Sequence, residues 1–476
     1  MATERSAVIL GAGVAGLAAG WRLARTGWRV TVIERAPVIG GLCASFRHGD
    51  MTLDHGPHKC FSVIPEVMEE LRRLMGDELL THEKRQSIYL FGRYLRYPLR
   101  MTELMRNMGA EQLARCGVSA VTSRIRALTG VNGADSYENY VVSRFGRHLY
   151  RLVFEPLADK VWGDPETLSA DIARTRIPSA SVAEVVARLL KLRQETAMTD
   201  ALFFHYPHQG FGRIPERMAE EIVHHGGTIL TATTPVAVAH EGPTIRGVTV
   251  EADGQTSYLP CDLLISTIPF DALGILLQQH RAEPELSSLL EAARTLQYRH
   301  LILAYVVVEA EQLTEDHWIF FPERSVAFGR IFEQKRLSRS MVPPDKTVIC
   351  CDMVDGEHGD RWRADDRELA ERCVADLRSC GILGDSEVKE TFVKRVRRFY
   401  PRYDLNYRET LTQLYGSLQR YENLLSTGRI GFYNYNNSDH CLDMAMQIEQ
   451  GLAEGQPAPE IMRRLERRVT TYRIVD

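Results

Sequence analysis

Gly11, Gly13 and Gly16, with Glu34 about twenty positions further on, are the residues whose types and spacing most sharply specify a chemistry. In Gly11-Ala-Gly13-Val-Ala-Gly16 the first glycine permits a tight turn and the second lets backbone approach a pyrophosphate. The third lets a helix pack closely against a strand. The N–H groups and positive dipole end of that helix would face the phosphates. A carboxylate at Glu34 accepts hydrogen bonds from a ribose diol and repels a 2′-phosphate. Glycine-rich turns are common, so context decides. This one lies between an apolar run, Ala7–Leu10, and a helical pattern reaching Arg25, and the next strand, Arg29–Glu34, ends on the acid. That arrangement reads as a dinucleotide site rather than a structural turn.

Further segments carry side chains able to do chemistry. Glu34-Arg35 leads into Gly40-Gly41-Leu42 and Ser45, which resembles the Glu-Arg…Gly-Gly extension of FAD folds of the amine-oxidase and glutathione-reductase types. Thr234-Pro235-Val236-Ala237-Val238 resembles the strand that meets the adenine side of FAD, and Asp262 to Pro269 the return strand that follows. FAD is therefore the expected cofactor.

Asp54-His-Gly56-Pro-His58-Lys-Cys-Phe61-Ser62 resembles the Gly-Gly-His loop of UDP-galactopyranose mutases and of protoporphyrinogen-oxidase-like proteins. Arg93-Tyr94-Leu-Arg96-Tyr97-Pro98-Leu99 looks like their Tyr-Pro segment. Trp162 through Arg174-Thr-Arg176 is similar to their tryptophan-to-arginine stretch, and Phe328-Gly-Arg330-Ile331 to their substrate-facing arginine motif. The most specific match is Gly428-Arg429-Ile-Gly431-Phe-Tyr433-Asn-Tyr435, followed by Asp439-His440 opening the last helix. The chain departs from that signature at Asn436-Asn437-Ser438, where the mutases more often carry an acidic or Met residue. The resemblance runs discontinuously from residue 7 to about 453, across the FAD-binding amine-oxidase superfamily.

The resemblance implies roles for these residues, and each has a plainer reading. His58 is expected beside the isoalloxazine; otherwise it is a solvated loop histidine. Arg330 is an inward phosphate ligand or a surface partner of Glu333. Arg176 binds substrate or is one exposed arginine in an Arg-rich stretch. Tyr433 and Tyr435, at strand spacing and so on one face, form a pyrophosphate wall beside Arg429 or are core aromatics. Asp439 and His440 stabilise charge on a reduced flavin through the helix N-terminus, or are an N-cap pair. In the mutase reading reduced FAD attacks an anomeric carbon through N5, a nucleoside diphosphate leaves, and the sugar recloses in its other ring size, with Arg330, Arg429 and Arg176 on the diphosphate. In the second reading FAD takes a hydride from a C–N or C–C bond, as in an oxidase or desaturase. A flavin-binding protein without catalysis is the third.

The elements that must position these residues are those of an α/β chain. The expected architecture is a Rossmann-type, glutathione-reductase-like FAD-binding domain in three parts (1–80, 205–275 and 401–476). It is interleaved with a largely helical cap region (81–204) and a β-rich part (276–400) of a mixed α+β substrate domain. Helices are expected at Val63–Leu80, over much of Met101–Arg193 with breaks near Val131–Asp135 and Trp162–Pro165, and at Arg367–Leu377. Strands are expected at Thr228–Val238, Gly247–Ala252, Leu263–Thr267, Leu301–Val308, Trp318–Phe321 and Thr347–Asp352. Gly428–Ala453 reads as strand, polar loop and helix.

Composition closes off other classes. Among 476 residues, 58 basic and 62 acidic side chains leave a net charge of -4, with no basic footprint for a nucleic-acid polymer. No apolar run approaches a membrane span, and none has the form of a signal peptide. The 9 cysteines include no CxxC, so neither a metal site nor a disulfide framework is expected, and a cytoplasmic location is the default. No second GxGxxG is present, so a reductant such as NAD(P)H, flavodoxin or ferredoxin would come from outside. The substrate expected from the resemblance is a nucleotide sugar.

Overall fold

The computed structural model describes residues 5–97, 103, 106–128, 135–176, 202–280 and 283–474. Its floor is a parallel sheet in the order Leu424–Ser426, Leu263–Ser266, Ser6–Leu10, Arg29–Ile33, Thr228–Leu230. The central strand Ser6–Leu10 is buried along its whole length. A parallel strand covered on both faces reads as an unbroken apolar run rather than an alternation. Helix Val14–Arg25 follows directly. The three-stranded antiparallel sheet Thr234–Glu241, Thr244–Ala252, Gln255–Pro260 is inserted before the chain re-enters the floor at Leu263.

A seven-stranded sheet stands against this unit, in the order Val388–Arg402, Gln297–Val308, Thr347–Asp355, Arg330–Glu333, Trp318–Phe320, Gln86–Leu90, Arg93–Arg96. Its pairs are antiparallel except where Trp318–Phe320 meets Gln86–Leu90. Gln297–Val308, next to the edge strand Val388–Arg402, is buried from His300 onward. The 15-residue edge strand Val388–Arg402 is unread in the sequence because its charges hide the alternation. Those charges suit an edge, where they oppose pairing with a second chain. Helices Ala110–Leu128, Tyr137–Phe145, Glu155–Trp162 and Ala170–Arg176 supply the expected helical region. Glu155–Trp162 stops at Gly163, as the expected break requires. Pro98, Leu99, residues 131–134 and the stretch 177–193 lie outside the described residues.

The structure corrects two element readings. The helix expected over Val63–Leu80 is Pro65–Met75; Gly76, with φ 52°, ends it, and Leu79–Glu83 is a strand paired with Phe203–Pro207. The strand expected at Gly428 is a helical turn, Gly428–Gly431. A Cβ on Gly431 would stand 2.8 Å from Thr267 Cα, so the chain curls against the end of the floor sheet. Tyr433 follows at φ 43°, so strand alternation does not put Tyr433 and Tyr435 on one face. The last helix, Ser438–Ala453, is where the sequence places it.

A buried ion network ties the helices under the floor together. Glu70 on Pro65–Met75 forms an ion pair with Arg22 (2.8 Å), accepts from Arg25 (3.2 Å) and also pairs with Arg73, while Arg22 reaches Glu449 on the last helix. Arg22 and Glu70 are each 8% exposed, so neither can fall back on water. Glu70→Ala is expected to lower unfolding free energy by about 2 kcal/mol, because it deprives the buried Arg22 guanidinium of one of its two carboxylates and leaves it only Glu449. Urea titration of the two proteins checks this.

Candidate active site

At the nucleotide end each predicted glycine answers a measurable constraint. A Cβ on Gly16 would lie 1.9 Å from the carbonyl oxygen of Gly11, so only glycine lets the helix start against the strand. A Cβ on Gly13 would meet nothing within 4 Å: this position opens on free space, as a phosphate cradle must. Gly40 closes the turn by donating its N–H to Ala12 O (2.7 Å), with Gly41 stacked against Gly13. Glu34 stands at the end of its strand, its two oxygens accepting from Ala12 N (2.9 Å) and Ala36 N (2.8 Å). Arg35 is exposed beside it. Thr233 donates its N–H to Glu34 O (2.9 Å), so the strand carrying Val236 begins at the same corner.

The C-terminal motif folds onto this turn: a Cβ on Gly428 would come within 2.5 Å of Ala15 Cβ. Helix Ser438–Ala453 begins there, capped by Asn437. Asn437 N donates to His440 Nδ1 (3.2 Å), and the His440 ring stacks on Tyr472 at 4.3 Å. The cap uses His440 Nδ1, while its buried Nε2 makes no hydrogen bond among the described residues, so the helix start offers its N-terminal backbone, its dipole and that nitrogen. Asp439 is buried at the same terminus.

The predicted side chains from three distant segments converge above it. His58 stacks on Phe211 with centroids 4.6 Å apart. Burial, followed by the charges of Arg429, His55 and Arg330, pulls its imidazole down to about 3, so it is neutral. Arg330 donates through Nε to Asp352 Oδ2 (2.7 Å) and lies 6.0 Å over Phe320. Glu333 is not its partner: that carboxylate turns inward and accepts from Leu313 N, Thr314 N and Thr347 Oγ1.

The expectation that Arg429 grips a diphosphate meets a different geometry. Its Nε and Nη2 donate to Asn436 O (2.8 and 2.5 Å) and its Nη1 to Phe399 O (3.4 Å). It pins the loop before the last helix to the Val388–Arg402 strand with three of its five N–H donors. Tyr433 is likewise a clip, its one hydroxyl proton lying between Gln297 O (2.5 Å) and Arg402 O (2.8 Å). Tyr435 is placed differently: it stacks on Tyr400 at 4.4 Å, with the Arg176 guanidinium 4.7 Å over its other side. Arg176 also lies 5.1 Å over Trp162. The result is a wall of rings and cations continuous from Trp162 to Tyr400.

Several participants escaped the sequence reading. Asp352, the partner of Arg330, sits on the neighbouring strand and only the register reveals it. Asp54 is fully buried, accepts from Ser45 Oγ (2.6 Å), Phe211 N (3.2 Å) and Tyr206, and so fixes the loop carrying His58. Burial pushes its carboxyl up to about 6 against those hydrogen bonds. Burial also raises the Cys43 thiol to about 12 and the Cys441 thiol to about 11, so neither is a thiolate nucleophile. Among the described residues no cluster of ligating side chains could hold a metal ion, and no helix is long and apolar enough to cross a membrane.

Fold and site together have the form of a dinucleotide-binding protein: an open glycine turn, a carboxylate fixed at the end of the second strand and a helix start at the same corner. Residues 14–452 match the model of the flavin containing amine oxidoreductases, and the chain belongs to that family, with FAD as its cofactor. In fold it is similar to reduced UDP-galactopyranose mutase, with TM-score 0.82, 20% identity and 98% of this chain and 99% of that one covered. It is also similar to a protoporphyrinogen-oxidase-like protein from Exiguobacterium sp. 255-15, with TM-score 0.70, 18% identity and coverage of 95% and 100%. By sequence it is 43% identical over 72 residues to the zeta-carotene-forming phytoene desaturase of Myxococcus xanthus, spanning 15% of this chain and 14% of that protein. A phytoene desaturase of Phycomyces blakesleeanus is 34% identical over 82 residues, 17% of this chain and again 14% of the relative. The chain thus matches these curated relatives over a small part of their length.

Gly13→Ala is expected to fold with an unchanged far-ultraviolet spectrum yet purify without flavin colour, since its Cβ would meet no protein atom within 4 Å and would stand in the open space of the turn. A yellow variant would contradict this. The neutral His58 gives a second test. Its folded-state value lies below that of the unfolded chain, about 6.5, so the contribution is complete above that pH and is lost as pH falls toward 3. His58→Phe is expected to flatten the acid limb of stability measured by urea titration between pH 7 and 4.

Proposed function

We propose that this chain is a flavin-dependent sugar-nucleotide mutase that works with the reduced cofactor. The observation that carries the reading is the wall in which Arg176 lies between Trp162 and Tyr435, with Tyr435 stacked on Tyr400. Cations held over aromatic rings suit an anionic diphosphate and the flat faces of sugar and base. An apolar polyene would leave those charges buried against hydrocarbon. The full-length likeness in fold to reduced UDP-galactopyranose mutase supports the same reading.

Bound and reduced, FAD supplies the nucleophile that an anomeric carbon requires. The chain supplies the rest. Arg176 and Arg330 attract the departing diphosphate, and the Arg330–Asp352 pair keeps one guanidinium oriented toward it. Arg429 adds positive potential while holding the loop before the last helix. The helix start stabilises negative charge accumulating at the pyrimidine end of the site. His58, neutral and backed by Phe211, presents an uncharged face that excludes water without drawing a proton from the substrate.

A second reading, oxidation or desaturation, is favoured by the short stretches of high identity to phytoene desaturases. One experiment separates the two. The purified protein, reduced anaerobically with dithionite, is incubated with UDP-, TDP- and GDP-hexoses and the products are separated by chromatography. Ring-contracted isomers formed only by reduced enzyme are expected, and Arg176→Ala should lower kcat/KM by about a hundredfold or more. No isomer, together with bleaching of the oxidised flavin by an amine, a porphyrinogen or a polyene, would replace the mutase with an oxidoreductase.

A further inference from the structure

Lys160 is a buried lysine whose nearest hydrogen-bond partners are all backbone carbonyls. It lies on Glu155–Trp162, two residues before the tryptophan that packs under Arg176, and it is 4% exposed. Its Nζ donates to Phe321 O (2.7 Å), Glu323 O (2.6 Å) and Phe328 O (2.9 Å). An ammonium has three N–H donors and no acceptor, so three carbonyls use it completely. All three belong to the loop that leaves the Trp318–Phe320 strand and returns at Arg330. That loop closes on itself through Phe321 N to Gly329 O (2.8 Å), and Gly329 N donates to Asp352 O (2.9 Å). The Lys160 stem passes the same point, since a Cβ on Gly329 would lie 3.9 Å from Lys160 Cβ.

The chemistry of this arrangement is that of a strut. One helix carries Trp162 and, through it, the ring against which Arg176 rests. The loop carries Gly329 and Arg330. The loop's other ties include an exposed ion pair from Arg324 to Glu155 on the same helix (3.8 Å). Two hydrogen bonds join it to the helix Asp366–Ser379, from Ala327 N to Asp376 and from Arg372 to Ser325 O. An exposed pair is weak, and a buried carbonyl without a donor is costly. The ammonium satisfies three at once and in doing so sets the distance of the loop from its helix.

We propose that Lys160 is a positioning residue whose ammonium, by gathering the Phe321, Glu323 and Phe328 carbonyls, holds Arg330 at a fixed separation from the Trp162–Arg176 wall. This rests on the proposed reading that Arg330 and Arg176 bind one diphosphate. Lys160 touches neither substrate nor flavin and acts only through the loop.

The test uses the FAD-loaded protein, Lys160→Met and Lys160→Arg, with UDP as the probe. Hydrogen exchange of the peptide spanning 321–330 is measured without ligand, and UDP affinity by calorimetry. Lys160→Met keeps the stem and removes every donor. It is expected to lose protection in that peptide and to bind UDP about tenfold more weakly, a change of about 1.4 kcal/mol, with flavin content and spectrum retained. Lys160→Arg, which keeps charge and donors, is expected to recover most of both, and it decides the matter if the methionine variant does not fold. Unchanged protection in Lys160→Met overturns the strut. Lost protection with unchanged UDP affinity overturns its role in placing Arg330. If the unaltered protein does not bind UDP at all, the nucleotide reading fails, and the exchange data alone then decide whether Lys160 holds the loop.

Discussion

The approach of the first helix to the first strand, through a contact with no side chain in it, is the constraint on which the rest depends. Gly16 lies so close to the Gly11 carbonyl that a single added carbon would collide. That proximity aims the helix N-terminus and leaves Gly13 facing open space. Everything else at the nucleotide end is arranged around it: Gly40 tied to Ala12, Glu34 gripped by Ala12 and Ala36, Gly428 seated on Ala15. Backbone does this work because a phosphate needs N–H groups at short range, and any side chain would stand between.

At the other end of the site the currency is charge held against aromatic surface. Arg176, Arg330 and Arg429 all lie over rings, yet they are used in three ways. Arg429 is bound to carbonyls, Arg330 to a carboxylate and Arg176 to the faces of Trp162 and Tyr435. A planar guanidinium presents a fixed fork of donors and a flat face, whereas an ammonium is a compact charge with three rotatable donors. Lys160, the buried ammonium nearby, is accordingly found where three separate acceptors converge.

Much of this was legible in the sequence. The strand, turn and helix around Gly11–Gly16, the acid at Glu34 and the helix opening near Asp439 follow from local pattern, because local geometry alone determines them. The fold class was legible for the same reason. The Gly428 turn was not: glycines flanking apolar residues read as a strand, and only the crowding of Gly431 against Thr267 dictates otherwise. That misreading carried Tyr433 and Tyr435 onto a common face they do not share. Asp352 and Asp54 were missed because each matters through a partner distant in sequence: the register of a neighbouring strand in one case, a buried loop in the other. Val388–Arg402 was missed because an edge strand is written in charges, and the periodicity used to find strands is that of buried ones.

The floor sheet has a further consequence. Its strands come from residues 6–10, 29–33, 228–230, 263–266 and 424–426. The edge strand Leu424–Ser426, and Gly428 that follows it onto Ala15, are therefore made about 400 residues after the glycine turn. On a ribosome, the cradle emerges early and stays half-built while the intervening sheets are synthesised. Pairings this distant in sequence are slow to form, so flavin can be locked in only once the last part of the chain is free to fold back. A chain interrupted late in synthesis would carry the full glycine motif without the Gly428 turn and the last helix that sit against it.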